Sequence, residues 1–246
     1  MHDIAYAKEG AIASIRFNRP QKKNAVTVAM YAALAESLDD ASADSNIRAV
    51  GIFGGADFTA GNDIADFLRS GPLSDDMPVL KFLHALKAFP KPLIAGVKGV
   101  AIGIGATMLM HCDSVVAGHS ARFSMPFTKL GLVPEAGVTA LLPLVSGRTR
   151  ASWLLLSGEQ FDAIAAREMG MVTRITQDCD VDGAVALMCG ELAQLPPAAV
   201  AATKRLIKAP FMEAVDRAMD EEVRAMATAL QSEETRSTLM RFFGND

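Results

Sequence analysis

A chain of 246 residues, half of them apolar and 21% charged, can bury a sizeable core as one domain or as one domain with an appendage. Its formal net charge of -4 comes without a basic patch, which argues against nucleic acid as a partner. The longest apolar runs are broken by Gly, Lys, His or Asp well short of a membrane span. Asp3, Lys8 and Glu9 stand where a signal peptide needs an apolar stretch, so a cytoplasmic protein without a membrane partner is expected.

In chain order, Ile4 to Lys8 and Ala11 to Phe17 alternate around Glu9-Gly10 and predict a hairpin. Thr27 caps a helix to about Ala41, with Met30, Leu34 and Leu38 four apart on one face. Ala49 to Phe53 reads as a short buried strand. A helix within Pro78 to Ala88 ends at Phe89-Pro90, because the residue before proline is pushed out of the helical region. Leu93 to Val97 is a strand, and the turn Gly99 to Gly105 opens an apolar helix to about His111. This alternation predicts an α/β domain. Beyond Leu195-Pro196-Pro197 no strand pattern appears, and helices are expected over Pro197 to Lys208, Phe211 to Leu230 and Glu233 to Phe243. Val215, Met219, Val223, Met226 and Leu230 form an apolar stripe that needs a partner, within the chain or outside it.

Cys112, Cys179 and Cys189 lack C-x-x-C spacing and read as reduced structural thiols, with no metal site. The four histidines stand at no triad or ligand spacing. Gly103-x-Gly105 lacks the third glycine of a dinucleotide fingerprint, and no phosphate-cradling G-x-x-x-x-G-K-[ST] run occurs.

What the glycines offer instead is backbone. Phe58-Thr59-Ala60-Gly61-Asn62-Asp63-Ile64 is followed about forty residues later by Gly99-Val100-Ala101-Ile102-Gly103-Ile104-Gly105-Ala106. Two such turns can pair N–H groups around an oxygen that gains negative charge, and a helix opening at the second adds its positive end. Together with Asn18-Arg19-Pro20-Gln21-Lys22-Lys23-Asn24-Ala25 and Pro126 to Glu135, these motifs make a series that resembles the enoyl-CoA hydratase/isomerase (crotonase) superfamily, over about Ile12 to Gly147 and more loosely to the C-terminus.

The resemblance implies a crotonase (ClpP-like) spiral of ββα turns over residues 1–195 and a C-terminal helical region, 196–246, that helps build a homotrimer or a dimer of trimers. It implies an acyl-CoA thioester as substrate, with coenzyme A part of that substrate and no separate cofactor. Aligned on the family pattern A-G-x-D, the oxyanion donors are the backbone N–H groups of Asn62 and Ile104, the latter where most relatives have glycine. The Asn62 side chain is expected to face solvent, and Asp63 to fix its loop or to lie along the substrate. Ala60, Ile64 and Gly105 are further substrate-binding candidates. Lys22 or Lys23 is placed to meet CoA phosphates, with a solvated surface as the alternative. Phe67, Phe127 and Leu130 are candidates to wall the acyl pocket, with core packing as the alternative.

Family hydratases carry two glutamates where this chain has Thr107 and Phe127. Water addition needs one group to activate water and another to protonate carbon, so that chemistry lacks its machinery here. Glu135, in Val133-Pro134-Glu135-Ala136-Gly137, resembles the single catalytic glutamate of peroxisomal-type Δ3,Δ2-enoyl-CoA isomerases and their bacterial relatives. Helix punctuation by Pro-Glu is its structural alternative. The expected activity is therefore enoyl-CoA isomerisation. A hydratase or another enolate-forming acyl-CoA enzyme is the alternative, and an inactive CoA-binding or assembly subunit is the alternative of another class.

Overall fold

The computed structural model describes residues 2–69 and 76–243. In chain order the elements are β1 (Ile4–Glu9), β2 (Ile12–Phe17), α1 (Val28–Ala43), β3 (Ala49–Phe53), α2 (Ile64–Arg69), α3 (Pro78–Ala88), β4 (Leu93–Val97), β5 (Val100–Ile102) and α4 (Ile104–Thr107). They continue as β6 (Ser114–Gly118), β7 (Arg122–Ser124), α5 (Val138–Ser146), α6 (Arg148–Ser157), β8 (Phe161–Asp162), α7 (Ala163–Glu168), β9 (Arg174–Thr176) and α8 (Val181–Ala193), and end in α9 (Pro197–Lys208), α10 (Met212–Gln231) and α11 (Glu233–Phe243).

The hairpin pairs Ile4 with Phe17 and Glu9 with Ile12. Thr27 accepts from the Met30 N–H at 3.2 Å, and Met30, Leu34 and Leu38 are buried, as the four-residue spacing predicts. A six-stranded sheet runs β1-β2-β3-β4-β6-β9, parallel throughout except for the hairpin. Its central strands, AVGIF and LIAGV, are buried at every residue, because helices cover both faces. On one face α8 packs Val181, Val185 and Cys189 against Ala49, Phe53, Ile94 and Val116. The main core fills the other.

A second, smaller sheet runs β5-β7-β8. Parallel bridges extend it, Thr59 to Ala101 and Val26 to Asn62. Each of four successive turns therefore gives one segment to the large sheet, one to the small layer, and then a helix: β2, Val26, α1; β3, Thr59 to Asn62, α2; β4, β5, α4; β6, β7, α5. This is the ββα spiral. The expected helix from Gly105 to His111 is shorter than its apolar pattern suggests. Val100–Ile102 is taken by strand pairing, and only Ile104–Thr107 is α-helical before a 3-10 turn, Met108–His111.

The stripe on α10 finds its partner at home. Val215, Met219 and Met226 belong to the main buried core, with Val223 and Leu230 packed against it. It therefore carries no argument for assembly.

Candidate active site

The two glycine turns lie side by side. Thr59 donates to the Val100 carbonyl and accepts from the Ile102 N–H, each at 3.0 Å, so the strand leading to Gly61 runs parallel to the one leading to Gly103. Gly61 has φ +92, and a Cβ on it would stand 2.9 Å from the Ile102 carbonyl oxygen. Only glycine combines that angle with so close an approach. Val26 secures the next two carbonyl and amide groups: its N–H meets the Gly61 carbonyl at 2.8 Å, and its carbonyl the Asp63 N–H at 2.9 Å. The intervening Asn62 N–H is left pointing away from that bridge. Neither it nor the Ile104 N–H, at the start of α4, donates to any acceptor among the described residues.

Loop anchoring explains the N-terminal motif. Asn24, buried and at φ +57, donates to the Asp57 and Phe58 carbonyls at 2.8 and 3.2 Å and accepts from the Arg19 N–H at 2.8 Å. Arg19 in turn holds Asp63 at 2.9 Å. Asp63 also accepts from the Asp66 N–H at 3.1 Å, so it fixes the start of α2 and is occupied as a structural group. Burial, the largest single effect, pushes the Asp63 carboxyl up, but the Asp66 N–H and the Arg19 guanidinium together outweigh it and hold the group below the usual range.

The side chain of Asn62 does not face solvent as expected. Its Oδ1 accepts a hydrogen bond from the buried Tyr31 hydroxyl of α1, which orients the residue carrying one of the free N–H groups. Sequence reading missed Tyr31 because its position on the apolar face of α1 signals core packing alone. Burial raises its pKa well above the ordinary range, so it stays a donor.

Glu135 sits on a turn of unusual backbone. Ala136 and Gly137 follow at φ +67 and +69, and for alanine the left-handed conformation costs about 1 kcal/mol. Two groups hold it there. The ring Nε2 of buried His111 lies 2.7 Å from the Ala136 carbonyl, and burial pushes the imidazole down to about 4, so it is neutral and donates through this nitrogen. The carboxylate of Glu222, on α10, accepts from the Gly137 N–H at 2.7 Å, the Thr139 N–H at 3.0 Å and the Thr139 hydroxyl at 2.6 Å. Glu222 thereby caps α5, which disposes of helix punctuation as the role of Glu135. Neither His111 nor Glu222 carried a sequence signal; only the third dimension brings them to this turn.

Glu135 itself has a buried Oε1 with no hydrogen-bond partner. It faces a cavity of about 30 Å³ lined by Phe67, Val79, Leu83, Met219, Val223 and Met226, with Glu222 on the same wall. Burial first, and then the charge of Glu222, push the Glu135 carboxyl up to about 8. An orphaned carboxyl oxygen in an apolar cavity costs about 1–3 kcal/mol, so Glu135 does not stabilise the fold from this position.

The remaining candidates divide. Phe67 lines the Glu135 cavity. Phe127 is buried in the core and Leu130 packs against it, and neither lines that cavity. Thr107 is buried with its hydroxyl 3.5 Å from the Ile104 carbonyl, and Gly105 is pressed against Thr59, where a Cβ would lie 2.6 Å from the threonine Cγ2. Ala60 and Ile64 are half-buried beside the free Asn62 amide, whereas Lys22 is exposed. Among the described residues no group of three His, Cys, Asp or Glu could hold a metal ion.

An α/β spiral with two adjacent free amides and a buried carboxylate defines an acyl-thioester enzyme of the crotonase type. The enoyl-CoA hydratase/isomerase family model matches residues 7–245, and the chain belongs to that family. It is similar to Pseudomonas aeruginosa OdaA, a solved structure, with 41% identity, a TM-score of 0.95 and 99% of each chain covered. It is 36% identical to Escherichia coli 1,2-epoxyphenylacetyl-CoA isomerase, over 87% of this chain and 85% of that one. It is 33% identical to rat enoyl-CoA delta isomerase 2, over 97% of this chain, which spans 63% of the rat protein's length. A further relative, E. coli 2,3-dehydroadipyl-CoA hydratase, is 33% identical over 96% of this chain and 93% of its own.

Proposed function

We propose that the chain is a Δ3,Δ2-enoyl-CoA isomerase in which Glu135 shuttles the proton. The observation that carries this reading is the contrast between the two carboxylates of one cavity. Glu135 keeps an unpartnered oxygen, while Glu222 is occupied by three donors. One free carboxylate suits a reaction that removes a proton and returns it, and leaves hydration without a second acid/base group.

In the proposed reaction the thioester carbonyl oxygen lies between the Asn62 and Ile104 N–H groups. Glu135 takes a proton from C2 of the 3-enoyl chain as the C–H electron pair moves into a dienolate, whose oxygen the two amides stabilise. The same carboxyl then gives the proton to C4, the double bond settles at C2=C3, and Glu135 is again ionised. Ile104 serves through its backbone, so its side chain is no obstacle to donation. It does narrow the pocket.

The relatives named as a hydratase and as an epoxyphenylacetyl-CoA isomerase favour a second reading, in which the same amides and Glu135 serve another enolate-forming acyl-CoA reaction. A panel of 3-enoyl- and 2-enoyl-CoA substrates with product identification separates the two. Turnover of 3-enoyl-CoA well above hydration of 2-enoyl-CoA is expected; comparable turnover numbers would contradict the isomerase assignment.

A further inference from the structure

The turn that presents Glu135 is held from outside the spiral. Ala136 and Gly137 are both left-handed, and a Cβ on Gly137 would lie 2.9 Å from Val215 Cγ1 of α10, so the turn and α10 are packed without slack. Glu222, about two turns of α10 beyond Val215, accepts from the Gly137 N–H within that turn and from both donors of Thr139. Buried carboxylates are rare unless something demands them. A serine or asparagine would cap α5 without placing a second negative charge on the cavity that holds Glu135.

We propose that Glu222 is a positioning residue for the proposed isomerase reaction: it clamps the Ala136–Gly137 turn so that the unpartnered oxygen of Glu135 points into the cavity, making α10 part of the reacting site. This rests on the reading of Glu135 as the proton shuttle. The ionisable groups facing Glu135 are Glu222 from α10 and Tyr31 from α1, with His111 neutral behind Ala136. Glu222 therefore has a second effect besides aim, because its charge opposes ionisation of Glu135.

The test is the pH profile of kcat, with KM, for 3-enoyl-CoA isomerisation by Glu222→Gln, Thr139→Val and Glu135→Gln proteins. Glu222→Gln keeps one accepting oxygen and loses the charge. It should lower kcat by about tenfold or more, on the scale of a misplaced catalytic group, with KM within about threefold, and shift the Glu135 limb to lower pH by roughly half a unit or more. Thr139→Val, at an exposed position that tolerates substitution, should lower kcat severalfold with KM unchanged; it stands in if Glu222→Gln does not fold. A wild-type kcat in the variant that folds overturns the proposal, and so does a lowered kcat in Glu222→Gln with an unmoved limb, which is the mark of a merely structural cap. If Glu135→Gln keeps more than half the wild-type rate, the shuttle reading itself falls. If it is inactive while the other two match wild type, only the role of Glu222 does.

Discussion

Glu135 is a carboxyl that burial keeps protonated to about pH 8 in the ligand-free chain, and a proton abstractor must first lose that proton. Isomerisation should therefore rise with pH to a plateau governed by an apparent pKa near 8, and kcat/KM measured from pH 6 to 9.5 checks it. The same shift carries a stability consequence of opposite sense. Between its ordinary value of 4.5 and about 8 the folded chain holds a proton that the unfolded chain releases, so stability is lost as pH rises through that window. Glu135→Gln removes this term, and its melting temperature should exceed that of wild type by a margin that grows from pH 5 to pH 9. Tyr31 is the other residue with a testable role. Tyr31→Phe leaves Asn62 Oδ1 without its donor, which should lower kcat about tenfold with little change in KM and cost roughly 1–3 kcal/mol of stability, read by denaturant unfolding.

At the scale of elements, legibility followed length and period. The hairpin, α1, α3 and the three C-terminal helices carry long regular patterns, and the structure places them where those patterns predict. Between Cys112 and Gln194 periodicity assigns no element: β7, β8 and β9 are only two or three residues long and derive their pairing from neighbours remote in sequence, while α6 and α8, though longer, carry little contrast between an apolar and a polar face. The site divides in the same way. Glu135, Asn62 and Ile104 are candidates from the sequence because the motif marks backbone turns, whereas Tyr31, His111 and Glu222 look like core or surface residues until the spiral closes. The elements also set the acyl pocket. At about 30 Å³ the cavity beside Glu135 holds about one water, so an acyl tail enters only if the α10 wall yields, and the unbranched side chains of Met219 and Met226 are suited to that. Met226→Ala should raise kcat/KM for longer 3-enoyl chains relative to shorter ones; an unchanged ratio would remove α10 from chain-length selection.

At the scale of the whole molecule, the α10 stripe is buried within the chain, and other apolar side chains are left exposed. Leu206 and Ile207 on α9 are 63% and 66% exposed, with Phe211 beside them. We propose that these neighbouring exposed aliphatic residues form part of a surface between chains. The expected assembly remains the trimer or dimer of trimers, so light scattering after size-exclusion chromatography should give a mass of three or six chains. Leu206→Asp with Ile207→Asp should dissociate it. A stable monomer of the native chain at micromolar concentration would contradict this.

The central claim is that one carboxyl, Glu135, carries the proton from C2 to C4. Glu135→Gln keeps the shape of that side chain and removes the base, so the most direct measurement is its rate of 3-enoyl-CoA isomerisation alongside its affinity for a CoA thioester. The account predicts a loss of more than about a hundredfold in rate, the scale of a positioned acid/base group, with binding nearly intact. Retention of more than half the wild-type rate would contradict it.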